Sequence, residues 1–157
     1  MTTATRVVYD CNTLLQAFAS PDGPAGRCVQ LAMDGKVNLF VSPAVMEELR
    51  DVAGRPKVVT RLQLTVERTE EYLDVIQATA SVLVDIREAF VYERDPEDAR
   101  YVNLAVAAGA DVIVSRDKDL LDLMNPTNPQ GAEFRKRFPN IRILDPVSFL
   151  REIDETG

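Results

Sequence analysis

The chain has 157 residues and a formal net charge of -7, from 25 Asp and Glu against 18 Lys and Arg, so it lacks the basic field of a whole-surface nucleic-acid binder. It contains no histidine, which excludes Ser-His-Asp and Cys-His hydrolysis and every His-ligated metal site. Hydrolytic chemistry is left to carboxylates, hydroxyls, Lys or Arg, or a metal held by oxygen ligands. Cys11 and Cys28 are too few for a disulfide framework and lack the paired spacing of a zinc site, so a reduced, cytoplasmic setting is expected. The length suits one domain over residues 1–157 with its own hydrophobic core. No apolar stretch is long enough for a membrane span, and MTTATR runs into the first strand without an apolar targeting region.

Residues 5–9, TRVVY, are short, β-branched and apolar without alternation, as a buried parallel strand should be. Asn12 or Thr13 is expected to cap a helix over 13–19, which stops at SPDGP, and Pro24 opens a second helix over 25–33. NLFV at 38–41 reads as the second strand. Ser42 with Pro43 then starts a helix to about residue 53, with Val45, Leu49 and Val52 on one face and Glu48 beside that stripe. Glu47 points about 100° away from Glu48, so only one of the two can face a common site.

From residue 56 to about 80 the apolar pattern predicts one long helix or two shorter ones. SVLVDI at 81–86 reads as a third strand or an extended connection. FVYERDPE at 90–97 carries turn chemistry, because Pro96 disfavours a helical Asp95, and a helix is expected from about Pro96 until Gly109 stops it. Tyr101, Val102, Leu104, Ala105 and Ala108 form its apolar face, with Asp98 in its first turn. DVIVS at 111–115 is a clear strand leading into RDKDLLDLM. Residues 125–140, rich in Pro, Asn and Gly, read as a long connection with a basic centre. IRILD at 141–145 is the last strand, and the last helix starts at Pro146. The alternation describes an α/β fold: a parallel sheet of about five strands with helices on both faces.

The acids worth singling out follow strands or open helices. Asp10 ends the first strand, Asp117 and Asp119 follow VIVS, Asp98 opens a helix, and Glu48 lies two turns into another. Strand ends of a parallel sheet share one edge, where ligands bind at the topological switch point. Four or five carboxylates converging there without a cationic partner would repel one another strongly, and a divalent ion relieves that. Oxygen-only ligands favour Mg²⁺ or Mn²⁺. Such an ion lowers the pKa of a bound water and offsets charge developing on phosphate, which suits phosphodiester hydrolysis. Asn12 and Ser115 are placed to orient a ligand carboxylate or a water. Taken singly, Asp98, Asp117 and Asp119 are equally explained as helix N-terminal or capping residues.

VVYDCNTLLQAF, SPAVMEELRDV, RDPEDARYVNLAVAAGADVIVSRDKDLLDL and IRILDPVSFLREI together make the chain resemble a PIN-domain protein along nearly its whole length. It is most similar to the bacterial PIN proteins of toxin–antitoxin systems, relatives of the VapC-type toxins. The resemblance implies a three-layer α/β/α sandwich and Mg²⁺- or Mn²⁺-dependent ribonuclease activity. By position it carries the acids of the family onto Asp10, Glu48, Asp98 and Asp117, with Asp119 supporting and Asn12 as the polar residue after the first acid. Asp95 competes with Asp98 for the third place and ranks below it on helix phase. Ser115 stands where the family usually has threonine.

Arg116 and Lys118, flanking Asp117, are the better candidates to contact RNA phosphates, followed by Arg55, Lys57 and Arg61 and by the group Arg135, Lys136 and Arg137. No interleaving of aromatic and basic residues for base stacking is evident. The resemblance implies an antitoxin partner that plugs the acidic groove. The apolar positions of 25–33 and 58–80 suit a homodimer or antitoxin interface and core packing equally. Two rival functions stand beside the ribonuclease. One is a non-catalytic PIN-like module that binds RNA or protein. The other is a small-molecule phosphohydrolase with an aspartyl nucleophile, weakened because Asn12 replaces the second acid of its D-x-D pair.

Overall fold

A run such as Val7, Val8 and Tyr9 is apolar on both faces because it lies in the middle of a sheet, and all three residues are fully buried. The computed structural model describes residues 4–156; residues 1–3, the start of the MTTATR lead-in, lie outside the described residues. The first strand, β1, is Thr5–Tyr9. β2 is Val37–Val41, β3 is Ser81–Val82, β4 is Val112–Val114 and β5 is Arg142–Leu144. All pairings are parallel, in the order β3-β2-β1-β4-β5. The chain therefore leaves β1 toward β2 on one side and returns later to β4 on the other. The switch point lies between β1 and β4, where Val8 pairs with Ile113 and Tyr9 with Val114.

Helices cover both faces. On one side α1 (Cys11–Ala19) packs on α2 (Pro24–Met33) and α3 (Pro43–Ala53), and α2 meets α9 (Pro146–Thr156). α6 (Ala99–Ala108) lies across β1, β2 and β4, as right-handed crossover requires of a helix that carries the chain back over the sheet. This is the three-layer α/β/α arrangement expected. Tyr9 qualifies the purely apolar reading of β1: its hydroxyl donates to the Cys28 carbonyl at 2.8 Å. Burying that hydroxyl unpaired would cost about 1–3 kcal/mol.

Several local expectations change. The first helix starts at Cys11 because Asp10, and not Asn12 or Thr13, is its N-cap, accepting from the Thr13 amide at 2.8 Å. The 56–80 region takes the second of its two expected forms, as two helices, α4 (Pro56–Leu62) and α5 (Val66–Thr79), separated where Gln63 takes a left-handed conformation at φ 54°. Of the 81–86 segment only Ser81–Val82 is strand, paired with β2, and the Leu83 amide adds a bond to the Val41 carbonyl; the chain from there to Asp98 is irregular and forms a wall beside α6. The helix expected from Pro96 begins at Ala99, since residues 96–98 form a turn. Its far end matches expectation, with Gly109 at φ 60°.

The 125–140 connection is a correction. It contains α8 (Pro129–Arg137), which Asn128 caps through its Oδ1 and which buries Phe134. Pro and Gly density misled here, because Pro129 occupies the first turn, where no N–H is needed. α7 is the short helix Lys118–Leu121, followed by a 3-10 turn at Asp122–Met124. No described helix is long and apolar enough to cross a membrane.

Candidate active site

β1 and β4 end side by side, so the residues that follow them meet. Asp10 is 3 % exposed and its two carboxylate oxygens do different work. Oδ1 caps α1, while Oδ2 accepts from the Ser115 hydroxyl at 2.5 Å. The same Ser115 oxygen accepts from the Asp117 amide at 2.9 Å, so one fully buried hydroxyl couples the acids after β1 and β4. Burial pushes the Asp10 carboxyl up from its ordinary value, its bonds to Ser115 and Thr13 pull it back, and the charge of Asp117 adds to the rise.

Asp117 caps α7, accepting from the Asp119 amide at 2.8 Å. Asp98 occupies the same kind of position before α6 but makes no side-chain cap bond. It is 6 % exposed, and its Oδ2 is a buried polar atom with no hydrogen-bond partner among the described residues. A carboxylate oxygen left so costs free energy unless something else meets it. One oxygen each from Asp95, Asp98, Asp117 and Asp119 lies within 4.8 Å of the others. Burial first, and then the charges of Asp117 and Asp95, raise the Asp98 carboxyl to about 8. An all-oxygen cluster, one member of which carries an orphaned buried oxygen, fits a hard divalent cation such as Mg²⁺ or Mn²⁺.

Asp95 and Asp98 thus join the cluster together, since the turn places the Asp98 amide on the Asp95 carbonyl and carboxylate at 3.1 and 3.3 Å. Neither Glu48 nor Asp10 belongs to that group of four. The Glu48 Oε2 accepts from the Tyr101 hydroxyl at 3.0 Å and from Arg100 at 2.9 Å. The Tyr101 oxygen in turn accepts from the Cys11 amide at 3.1 Å, which ties Glu48 to the peptide just after Asp10. Glu47 is exposed.

Three residues of this arrangement escape sequence reasoning. Tyr101 reads as part of an apolar helix face, and only its hydroxyl reaches the site. Arg100 sits two residues after Asp98, and nothing in its spacing shows that it meets Glu48. Arg94 bonds Asp119 at 2.6 Å and Asp122 at 2.7 Å from an irregular loop, where no periodicity exists to read. Tyr101→Phe should remove a donor from Glu48 and leave the buried Cys11 amide unpaired. Urea unfolding should show a loss of about 1–3 kcal/mol.

The proposed phosphate-contacting residues divide. Arg116 is exposed, reaches Gln16 at 3.2 Å, and lines a pocket of about 270 Å³ with Asn12, Thr13 and Asp117. Lys118 and Lys57 are exposed, and Arg55 pairs with Asp51 at 3.1 Å. Of the basic group in α8, Arg135 holds the Leu123 and Asn125 carbonyls, and Arg137 holds the Ala89 carbonyl, so both serve the fold. The cysteines are free and buried; burial pushes both thiols up to about 12, and the charges of Glu48 and Asp10 reinforce this at Cys11. Neither is a nucleophile at neutral pH.

A family model for the PIN domain matches residues 6–119, a span that holds every acid of the cluster. The chain belongs to the PIN-domain family. PIN domains are generally nucleases that act on RNA with divalent metals. The uncharacterized protein MJ1680 of Methanocaldococcus jannaschii is similar to this PIN domain, 24% identical over 152 residues that cover 96% of this chain and 92% of that one.

Proposed function

We propose that this PIN domain is a Mg²⁺- or Mn²⁺-dependent endoribonuclease acting as the toxin of a toxin–antitoxin pair. The single observation behind this is that Asp98, a member of a cluster of four carboxylates, carries a buried and unpartnered Oδ2. Asp10, Glu48, Asp98 and Asp117 are the proposed ligands, with Asp119 supporting and Asp95 added on geometry. When bound, the ion supplies charge neutralisation at the phosphate and activation of the attacking water. The chain's own residues hold the acids ready. Ser115 fixes Asp10 against Asp117, and Tyr101 and Arg100 orient Glu48. Arg116 and Lys118 are assigned to RNA phosphates flanking the scissile bond, with Arg55 and Lys57 more remote candidates. Asn12, exposed beside Arg116, is assigned to orienting a water.

The test is cleavage of a structured RNA pool with Mg²⁺ or Mn²⁺ by wild type and Glu48→Gln. Glu48→Gln should lose at least ~10–100-fold, the effect typical of disturbing a metal shell. No cleavage by wild type with either metal would remove the ribonuclease reading. The toxin role is tested by growth arrest on expression, which Asp98→Asn should relieve.

One observation favours a second reading. Arg94 and Arg100 already pair with Asp119 and Glu48, as expected of a site whose cations have replaced a metal in a non-catalytic RNA- or protein-binding module. Calorimetric titration with Mn²⁺ separates the two, because a retired site binds no ion that Asp98→Asn removes.

A further inference from the structure

A cavity of about 680 Å³ opens beside the acidic cluster, between the N-terminus of α3, the Arg100 and Asn103 side of α6 and the irregular wall at 83–92. Its volume lies within the roughly 300–1,000 Å³ typical of small-ligand sites. Three of its lining residues bind it to the cluster: Pro96 and Ala99 bracket Asp98 in the chain, and Arg100 is the residue that pairs with Glu48. An RNA strand whose scissile phosphate sat at the acids would have its neighbouring nucleoside at this opening.

The lining is mainly apolar, with a small set of polar groups. Asn103 accepts from the Ala89 and Phe90 amides, both at 2.8 Å, through the same Oδ1. Those two donors fix which end of the amide is oxygen, so its NH₂ is the end left over. Among the described residues that nitrogen has no hydrogen-bond partner. Arg100 adds guanidinium donors. The lining acids Asp85 and Glu88 are exposed and repel phosphate, which favours an uncharged group inside. An apolar cavity with donors and an anion-repelling rim suits a base with ring carbonyls; uracil has two, guanine and cytosine one each, and adenine none.

We propose that this cavity is a nucleobase subsite for the nucleotide adjoining the scissile phosphate, read by the Asn103 amide and Arg100. It rests on the ribonuclease reading for its place beside the scissile phosphate, but binding can be measured without cleavage. The experiment is titration of the protein with the four ribonucleosides and with ribose, which carry no phosphate for the acids to repel, followed by backbone amide shifts. Uridine, guanosine and cytidine should bind more tightly than adenosine or ribose, shifting residues 44, 84 and 103. Ala44→Phe fills the cavity from an exposed helix position and should weaken that binding at least about tenfold. Asn103→Asp keeps the acceptor for Ala89 and Phe90, removes the NH₂, and should abolish the preference over adenine. Ribose binding as tightly as the nucleosides, or nucleoside binding unchanged by Ala44→Phe, would overturn the subsite. So would no nucleoside binding at all, which would leave the cavity to a protein segment. Nucleoside binding without RNA cleavage would overturn the ribonuclease reading and keep the base site, whereas cleavage with binding and base preference unchanged in both variants would do the reverse.

Discussion

Asp10→Asn should abolish metal-dependent RNA cleavage while leaving the fold intact. The two effects separate because the two oxygens of Asp10 have separate tasks. An asparagine keeps Oδ1 on the Thr13 amide, so the cap of α1 survives. Its NH₂ can donate to the Ser115 oxygen where Oδ2 now accepts, at the cost of turning one hydroxyl, and Ser115 still accepts from the Asp117 amide. The variant also removes a buried negative charge next to Asp117, so stability should change by no more than about 1 kcal/mol. Activity should fall further than the roughly 10–100-fold lost when a residue behind the ligands is changed, because a ligand charge itself is gone. Thermal melts and Mn²⁺-dependent cleavage on the same sample check both halves. Undiminished cleavage by a folded Asp10→Asn protein would count decisively against Asp10 as a ligand.

Without metal, the protein should lose stability as the pH rises from about 5 toward 8. The Asp98 carboxyl is raised to about 8 by burial and by its acidic neighbours, against the ordinary carboxylate value in the unfolded chain. Between those two values the folded state keeps a proton that the unfolded state has released. The unfolded state binds fewer protons, so stability falls with pH across the window and levels off above the folded value. Asp10, also raised, acts in the same direction. Asp145 is lowered by the Ser148 hydrogen bonds and acts oppositely, contributing stability that is lost as the pH drops below the ordinary carboxylate range.

A divalent ion reverses the alkaline trend, because it binds the ionised carboxylates and competes with their protons. At a hundredfold excess over its dissociation constant, Mn²⁺ should stabilise by about 2.7 kcal/mol, or roughly 5–10 °C in Tm for a chain of this size. The gain should be larger at pH 8 than at pH 6. Asp98→Asn should flatten the metal-free pH profile and shrink the Mn²⁺ response. A Tm that is independent of both pH and Mn²⁺ would refute the coupling of these acids.

The correction at 125–140 has a physical cause. The α8 helix inside a Pro- and Asn-rich connection is decided by contacts that lie outside its own window. Phe134, for example, has a reason to be helical only once its burial against Phe90, at a ring separation of 5.8 Å, is known.

From the amino-acid sequence alone came the parallel α/β fold, the edge on which Asp10, Asp98 and Asp117 lie, and the oxygen-only chemistry that follows from having no histidine. These are legible because strand ends and helix starts are local signals, and a parallel sheet carries all its strand ends to one side. Tertiary structure alone decided that Asp95 joins Asp98, that Ser115 bridges Asp10 to Asp117, and that Tyr101, Arg100 and Arg94 reach the acids. The Ser115 bridge depends on the register of β1 against β4, and the other contacts depend on the rotation of α6 and the path of the loop before it. Both are set by packing across the sheet and not by any spacing along the chain.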